Sequence, residues 1–128
     1  MQFFIPMRIP TRTFQAKKIT VKNGKAVLYT PPELKEIESM YIAHLQKYKP
    51  DRPIEGAVSL TLQWVFHDES RAGAPMISKP DLDNLGKLFK DCMTTVGFWY
   101  DDCQICQSED VKGYGIREGV YVEVAEIK

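Results

Sequence analysis

The sequence predicts one α/β domain of the α+β type, built from two long helices and several strands. Its length of 128 residues suits a single hydrophobic core. Two stretches carry apolar residues at helical spacing, and other apolar stretches have the pattern of half-buried or buried strands. No repeat or linker-like composition divides the chain. We therefore expect a single domain over residues 1–128.

The strands are predicted from short apolar runs. Asn23-Gly24 lies between two extended runs and is the strongest local signal for a β-hairpin. The turn region Gly113 to Gly119 separates the last two predicted strands. Outside the hairpin, strands are predicted at residues 2–9, 56–66, 104–111 and 119–127.

Two segments have the apolar spacing of amphipathic helices. The first covers residues 33–49 and is ended by Pro50, while the second covers residues 82–96 and is followed by Gly97 at the C-cap position. The polar stretch 67–80 between the second long strand and the second helix is predicted to be a loop.

The charge of the chain is balanced overall but unevenly distributed. There are 17 basic and 17 acidic residues, which alone gives no sign of nucleic-acid binding. Residues 1–32, however, contain only basic charges, and residues 81–110 contain mostly acids. The first region suits contact with phosphates and the second suits a cation, although each is also compatible with an ordinary solvated surface. The basic residues are Arg8, Arg12, Lys17, Lys18, Lys22 and Lys25.

Cysteine content and hydropathy favour a cytoplasmic protein. The three cysteines, Cys92, Cys103 and Cys106, are an odd set in a chain long enough to fold without disulfides, so we expect small buried thiols. A structural zinc site would need a second ligand pair beside Cys103 and Cys106. No apolar run reaches the roughly 18 residues of a membrane-spanning helix. We expect a soluble protein in a reducing compartment.

Acidic residues stand at the start of the second predicted helix. Asp81 and Asp83 lie where exposed backbone amides favour negative charge, so they are either helix-capping acids or members of a functional site. Lys87 and Asp91 follow at intervals of four residues and project from the same face. Ordinary ion pairs between helical turns would also explain this spacing.

A second acidic pair, Asp101-Asp102, directly follows the aromatic run Phe98-Trp99-Tyr100, a run that is more typical of a core than of a contact surface. Because neighbouring carboxylates repel one another, several acids in one corner of a fold are costly unless a cation neutralises them. Mg²⁺ takes oxygen ligands, keeps several waters and needs only a few carboxylates. The acids of this region therefore favour a magnesium site.

These residues together resemble the signature of the RusA family of Holliday junction resolvases. The family pattern joins an Asp-x-Asp-Asn-x-x-Lys helix start to a Gly-x-x-x-Asp-Asp-x-Gln turn, and both halves match here with their spacing. The strong resemblance covers residues 79–110, and the amino-terminal third is similar only in layout. The matching runs are Pro80-Asp81-Leu82-Asp83-Asn84-Leu85-Gly86-Lys87 and Gly97-Phe98-Trp99-Tyr100-Asp101-Asp102-Cys103-Gln104.

The resemblance implies a homodimeric, magnesium-dependent endonuclease with a mixed β-sheet and two main helices packed on it. Such an enzyme nicks opposing strands of a four-way DNA junction. Asp81, Asp83 and Asp102 match the catalytic carboxylates, which would hold Mg²⁺, and Lys87 matches the active-site lysine. Asn84 and Asp101 match further positions of the motif.

The basic residues of the amino-terminal third are candidates for contact with the DNA backbone, together with Lys79. Some members of the family carry several arginines before the first aspartate, whereas here Lys79 alone stands there. Two other functions are compatible with the composition: a non-catalytic module that binds branched DNA, and a metal-dependent phosphohydrolase that acts on small molecules.

Overall fold

The computed structural model describes residues 1–11, 18–29 and 32–128, and along the strands 18–22 and 26–29 it describes the backbone alone. The strands and helices of the described residues are β1 (Gln2–Pro6), β2 (Lys18–Lys22), β3 (Lys25–Tyr29), α1 (Pro32–Leu45), β4 (Val58–His67), α2 (Leu82–Val96), β5 (Ile105–Gly115) and β6 (Gly119–Glu126). The described residues also form two short 3₁₀ turns, Glu69–Arg71 and Asp102–Gln104.

The main sheet has four strands in the order β1-β6-β4-β5 and is mixed. β4 and β5 are parallel, and α2 lies in the connection between them, as a parallel pair requires. β6 is antiparallel to both β4 and β1. The hairpin β2-β3 turns at Asn23-Gly24, as predicted, and forms a separate two-stranded sheet. The predicted mixed sheet with two helices is confirmed.

Alternation along β4 places the core on one face of the sheet. Val58, Leu60, Leu62, Trp64 and Phe66 are buried, whereas the residues between them are partly or fully exposed. The Trp64 ring contacts a ring on each helix. Its centroid lies 6.4 Å from that of Tyr41 on α1 and 5.3 Å from that of Phe89 on α2. Both helices therefore pack on the same face of the sheet.

Helix α2 begins and ends where the sequence predicts. Asp81 is its N-cap residue, and Gly97 closes it in the left-handed conformation with φ of 108°. The amide of Gly97 donates to the carbonyl of Met93 at 3.1 Å and to that of Thr94 at 3.2 Å. Since a side chain strains this backbone conformation, glycine is the favoured residue at the end of α2.

Three predicted boundaries were wrong by more than two residues. β1 ends at Pro6 rather than at residue 9, and α1 ends at Leu45 rather than at residue 49. β5 continues to Gly115 and includes Gly113, at which the sequence predicts the start of a turn. A Cβ at Gly113 would lie 2.9 Å from the carbonyl oxygen of Ala74, so this glycine permits a close approach between β5 and the preceding loop.

The cysteines and the aromatic run also differ in part from expectation. Cys92 is buried as predicted, but Cys103 and Cys106 are exposed. Phe98 and Trp99 belong to the core, whereas Tyr100 is exposed. Within the described ranges, no helix is long and apolar enough to cross a membrane.

Glu118 joins three segments at the end of β4. Its carboxylate accepts a hydrogen bond from the amide of Ile9 at 2.7 Å and another from the amide of His67 at 3.1 Å. Its backbone carbonyl accepts a third, from the amide of Met7, at 3.3 Å. One side chain thus satisfies a backbone amide in the segment after β1 and another at the end of β4, which are distant in the sequence.

We expect Glu118→Ala to lower the free energy of unfolding by about 2 kcal/mol, because two backbone amides lose a charged acceptor. Chemical denaturation monitored by circular dichroism measures the change. Glu55→Ala, at an exposed position, is the matched control and should change the unfolding midpoint little. Equal stabilities of the two variants would contradict the role given to Glu118.

Candidate active site

The first acidic group lies at the start of α2. Asp81 occupies the N-cap position, but its carboxylate makes no capping hydrogen bond to the helix, and Asp83 follows in the first turn. Both side chains are exposed. The segment before them is held by Lys112 of β5, whose ammonium donates to the carbonyls of Ser78 at 2.6 Å and Pro80 at 2.7 Å. Because the carboxylate of Asp81 does not cap the helix, it is available to bind a ligand.

The second acidic group is centred on Asp102, in the turn between α2 and β5. The hydroxyl of Thr94 on α2 donates a hydrogen bond to the carboxylate of Asp102. The buried indole of Trp99 donates in turn to the Thr94 hydroxyl at 2.6 Å. This chain of hydrogen bonds fixes Asp102 beside the carboxyl-terminal half of α2.

Asp91 on α2 pairs with Asp102. Asp91 is exposed, but partial loss of hydration raises its pKa to about 6, and the hydrogen bond with Asp102 and the charge of Asp102 add to the effect. Burial also acts to raise the pKa of Asp102, but hydrogen bonds from Asp91, Thr94 and Trp99 outweigh it, so this pKa lies below its usual value. The pair therefore retains a proton more readily than two separate carboxyl groups would. Such a pair is also a favourable neighbour for a cation.

The two acidic groups are separated along α2. Asp91 follows Asp83 by eight residues, which corresponds to about 12 Å along a helix. No three Asp, Glu, His or Cys side chains of the described residues come together in a way that could hold a metal ion. One copy of the chain therefore does not bring Asp81, Asp83 and Asp102 into one cluster.

Lys87 lies between the two groups, one turn beyond Asp83 and one turn before Asp91. It is exposed, and in the part of the chain that the structure describes it forms no ion pair. Its positive charge nevertheless lowers the pKa of Asp91. The ion pairs that would have explained this spacing as simple helix stabilisation are not formed.

Gln104 organises the turn that carries Asp101 and Asp102. Its side-chain oxygen accepts from the amides of Tyr100 at 2.8 Å and Asp101 at 2.9 Å. Its side-chain nitrogen donates to the carbonyls of Ile54 at 2.7 Å and Gly56 at 3.0 Å. All four hydrogen-bonding positions of the amide are thus used by backbone groups of two segments.

Asp101 has a local structural task. Its carboxylate accepts from the amide of Cys103 at 2.9 Å and forms a capping box with Gln104. The sequence assigned no role to Asp101 within the motif, and the structure shows that it caps the turn. Asn84 is half-buried in the first turn of α2.

Sequence reasoning did not assign Asp91, Thr94 and Trp99 to the site. A usable signal was present, because Asp91 and Thr94 are three residues apart on one helix and Trp99 precedes Asp102 by three residues. What the sequence does not reveal is that the turn folds back on α2 and brings these residues together.

The predicted DNA-contacting residues are described only in part. Arg8, Lys25 and Lys79 are exposed. Arg12 and Lys17 lie outside the described residues. Lys18 and Lys22 lie on β2, where the side chains are not described.

Comparison with known proteins identifies the family of the chain. Residues 10–125 match the family model described as "Endodeoxyribonuclease RusA". The chain therefore belongs to the RusA family of endodeoxyribonucleases, as its motifs suggested. It is 32% identical over 124 residues to the crossover junction endodeoxyribonuclease rusA of Lactococcus phage r1t, an alignment that covers 94% of this chain and 92% of the relative.

We expect Gln104→Ala to release the acidic turn from the segment before β4. The amide hydrogens of Tyr100 and Asp101 should then exchange with solvent faster, because both lose their acceptor, and the free energy of unfolding should fall by about 1–2 kcal/mol. Hydrogen exchange measured by NMR tests this. Gln107→Ala, at an exposed position of β5, is the control. Unchanged exchange at residues 100 and 101 would show that Gln104 does not hold the turn.

Proposed function

We propose that this chain, acting as one domain over residues 1–128, is a magnesium-dependent endonuclease that resolves four-way DNA junctions by paired symmetric nicks in the cytoplasm during recombination and repair. The observation that carries the proposal is the family match over residues 10–125, which includes all four candidate catalytic residues. The relative from a phage is named for action on crossover junctions.

The donor set fits a hard divalent cation. Nucleases of this family depend on a metal ion, and the candidate ligands Asp81, Asp83 and Asp102 are exposed carboxylates rather than thiolates or imidazoles. This chemistry supports Mg²⁺. When bound, it would lower the pKa of a coordinated water and neutralise charge on the phosphate.

The protein's own residues divide the remaining work. Lys87 would place a positive charge beside the phosphate that is cut, since it is exposed and unpaired among the described residues. Thr94 and Trp99 hold the carboxylate of Asp102 in one orientation. The exposed cations Arg8, Lys25 and Lys79 would bind the DNA backbone, along with the basic positions that are not described.

The separation of the acids along α2 supports a homodimer with shared sites. Asp102 pairs with Asp91, which lies about 12 Å along the helix from Asp83, and the described residues of one copy contain no metal-binding cluster, so a second copy would supply the missing ligands. In the proposed dimer, Asp81 and Asp83 of one copy face Asp102 of its partner, and two-fold symmetry creates two equivalent sites. A four-way junction has the same approximate symmetry.

We expect Asp81→Asn, Asp83→Asn and Asp102→Asn each to reduce cleavage of a synthetic four-way junction at least about 100-fold while leaving junction binding intact, because binding depends on phosphate contacts elsewhere. The assay follows end-labelled strands on a denaturing gel, with Mg²⁺ and with EDTA, beside a matched linear duplex. Asp51→Asn, at an exposed position, is the control and should cut normally.

Other outcomes of this assay are decisive as well. Retarded junction without nicks under every metal would favour the non-catalytic binding module. Normal cleavage by Asp102→Asn would remove this residue from the site. A parallel assay that shows hydrolysis of small phosphate esters, with no cleavage of the junction on the gel, would favour the phosphohydrolase.

Mixing two inactive variants tests the shared site. A heterodimer of Asp83→Asn and Asp102→Asn has one doubly altered site and one intact site, provided that each site combines these residues from different copies. We therefore expect refolded mixtures to nick one strand of the junction, although each variant alone is inactive. If both ligands came from the same copy, the mixture would contain no intact site and would remain inactive.

A further inference from the structure

Ile77 is the most exposed large apolar residue in the part of the chain that the structure describes, with a relative solvent accessibility of 98%. It lies in the loop that leads into α2, four residues before Asp81. Neither the hydrophobic core nor the acidic groups account for this position. An isolated exposed isoleucine is common enough, but this one lies in the segment that leads directly to a candidate catalytic residue.

The loop that carries Ile77 is anchored to β5 on its amino-terminal side. The amide of Gly73 donates to the carbonyl of Tyr114 at 2.9 Å, and the amide of Tyr114 donates to the carbonyl of Ala74 at 3.0 Å. Pro75 forms an isolated bridge with Gly113. The backbone is therefore fixed two residues before Ile77.

The same loop is anchored on its carboxyl-terminal side. The ammonium of Lys112 binds the carbonyls of Ser78 and Pro80, at 2.6 and 2.7 Å. Met76 packs partly against the core. Ile77 thus protrudes from a segment held on both sides, so little conformational entropy is lost when its side chain meets a partner.

The chemistry of isoleucine restricts what that partner can be. The side chain has no hydrogen-bonding group, so it gains free energy only against an apolar surface. In linear duplex DNA the flat faces of the bases are stacked, and the grooves present mainly polar edges. At a branch point the helical stack is interrupted, and the faces of the bases become accessible to an apolar wedge.

We propose that Ile77 is a specificity-determining residue that packs against unstacked bases at the branch point. The exposed Lys79, two residues further on, would bind the neighbouring phosphate. This inference rests on the proposed function, because a junction that is cut at the acids of the start of α2 would lie against this loop. Ile77 thereby gives the enzyme preference for branched over linear DNA.

The test compares Ile77→Ser with Ile116→Ser, a matched control at another exposed isoleucine, in the turn between β5 and β6. Full-length proteins are titrated in EDTA with a four-way junction that carries 2-aminopurine beside the branch point, and with a linear duplex of the same sequence. Wild type and control should increase the fluorescence of 2-aminopurine, which reports unstacking. Ile77→Ser should not, and its affinity for the junction should fall about tenfold with duplex affinity unchanged.

Two results would overturn the inference. The first is an Ile77→Ser protein that keeps both the fluorescence change and the junction preference of wild type. The second is weaker self-association of Ile77→Ser in sedimentation, with fluorescence per bound dimer unchanged, which would assign Ile77 to a protein interface. Failure of the wild-type protein to nick junctions in Mg²⁺ is a separate observation and would count against the proposed function instead.

Discussion

The parallel pairing of β4 with β5 is the constraint on which the rest of this structure depends. Parallel neighbours cannot be joined by a tight turn, so the chain must cross over the sheet between them. Here the crossover consists of the anchored loop, α2 and the acidic turn. Because α2 buries its apolar face against the sheet, its charged face remains open to solvent. The acids are therefore displayed by the same packing that stabilises the fold.

Two side chains fix the backbone at the two ends of the crossover. Lys112 fixes the backbone before α2, and Gln104 fixes the turn after it. Each forms hydrogen bonds with backbone groups and so determines the path of the chain, not the orientation of a neighbouring side chain. Thr94 and Trp99 then orient the carboxylate of Asp102. Fold and site are thus connected through a few residues outside the motif acids.

Much of this organisation was predictable from the sequence. The limits of α2 followed from its apolar spacing and Gly97, and the hairpin followed from Asn23-Gly24. The length of β5 was not predictable. Glycine is typical of turns, but Gly113 lies within the strand, where it permits a close approach to Ala74. The exposure of Tyr100 was likewise not predictable, since Tyr100 continues an aromatic run whose first two members are buried. Tertiary contacts decided both cases.

The candidate site shows the same division. The motif indicated Asp81, Asp83 and Asp102, but linear spacing cannot show that Asp102 packs beside Thr94 and Asp91, remote from the start of α2. This remoteness has a cellular consequence for the proposed dimer. If the ligands are divided between two copies, a monomer would be inert, and newly made chains would not cut DNA until their concentration approached the dissociation constant of the dimer. Below that concentration, activity would rise with roughly the square of the amount of protein, which would make gene dosage a control on cutting.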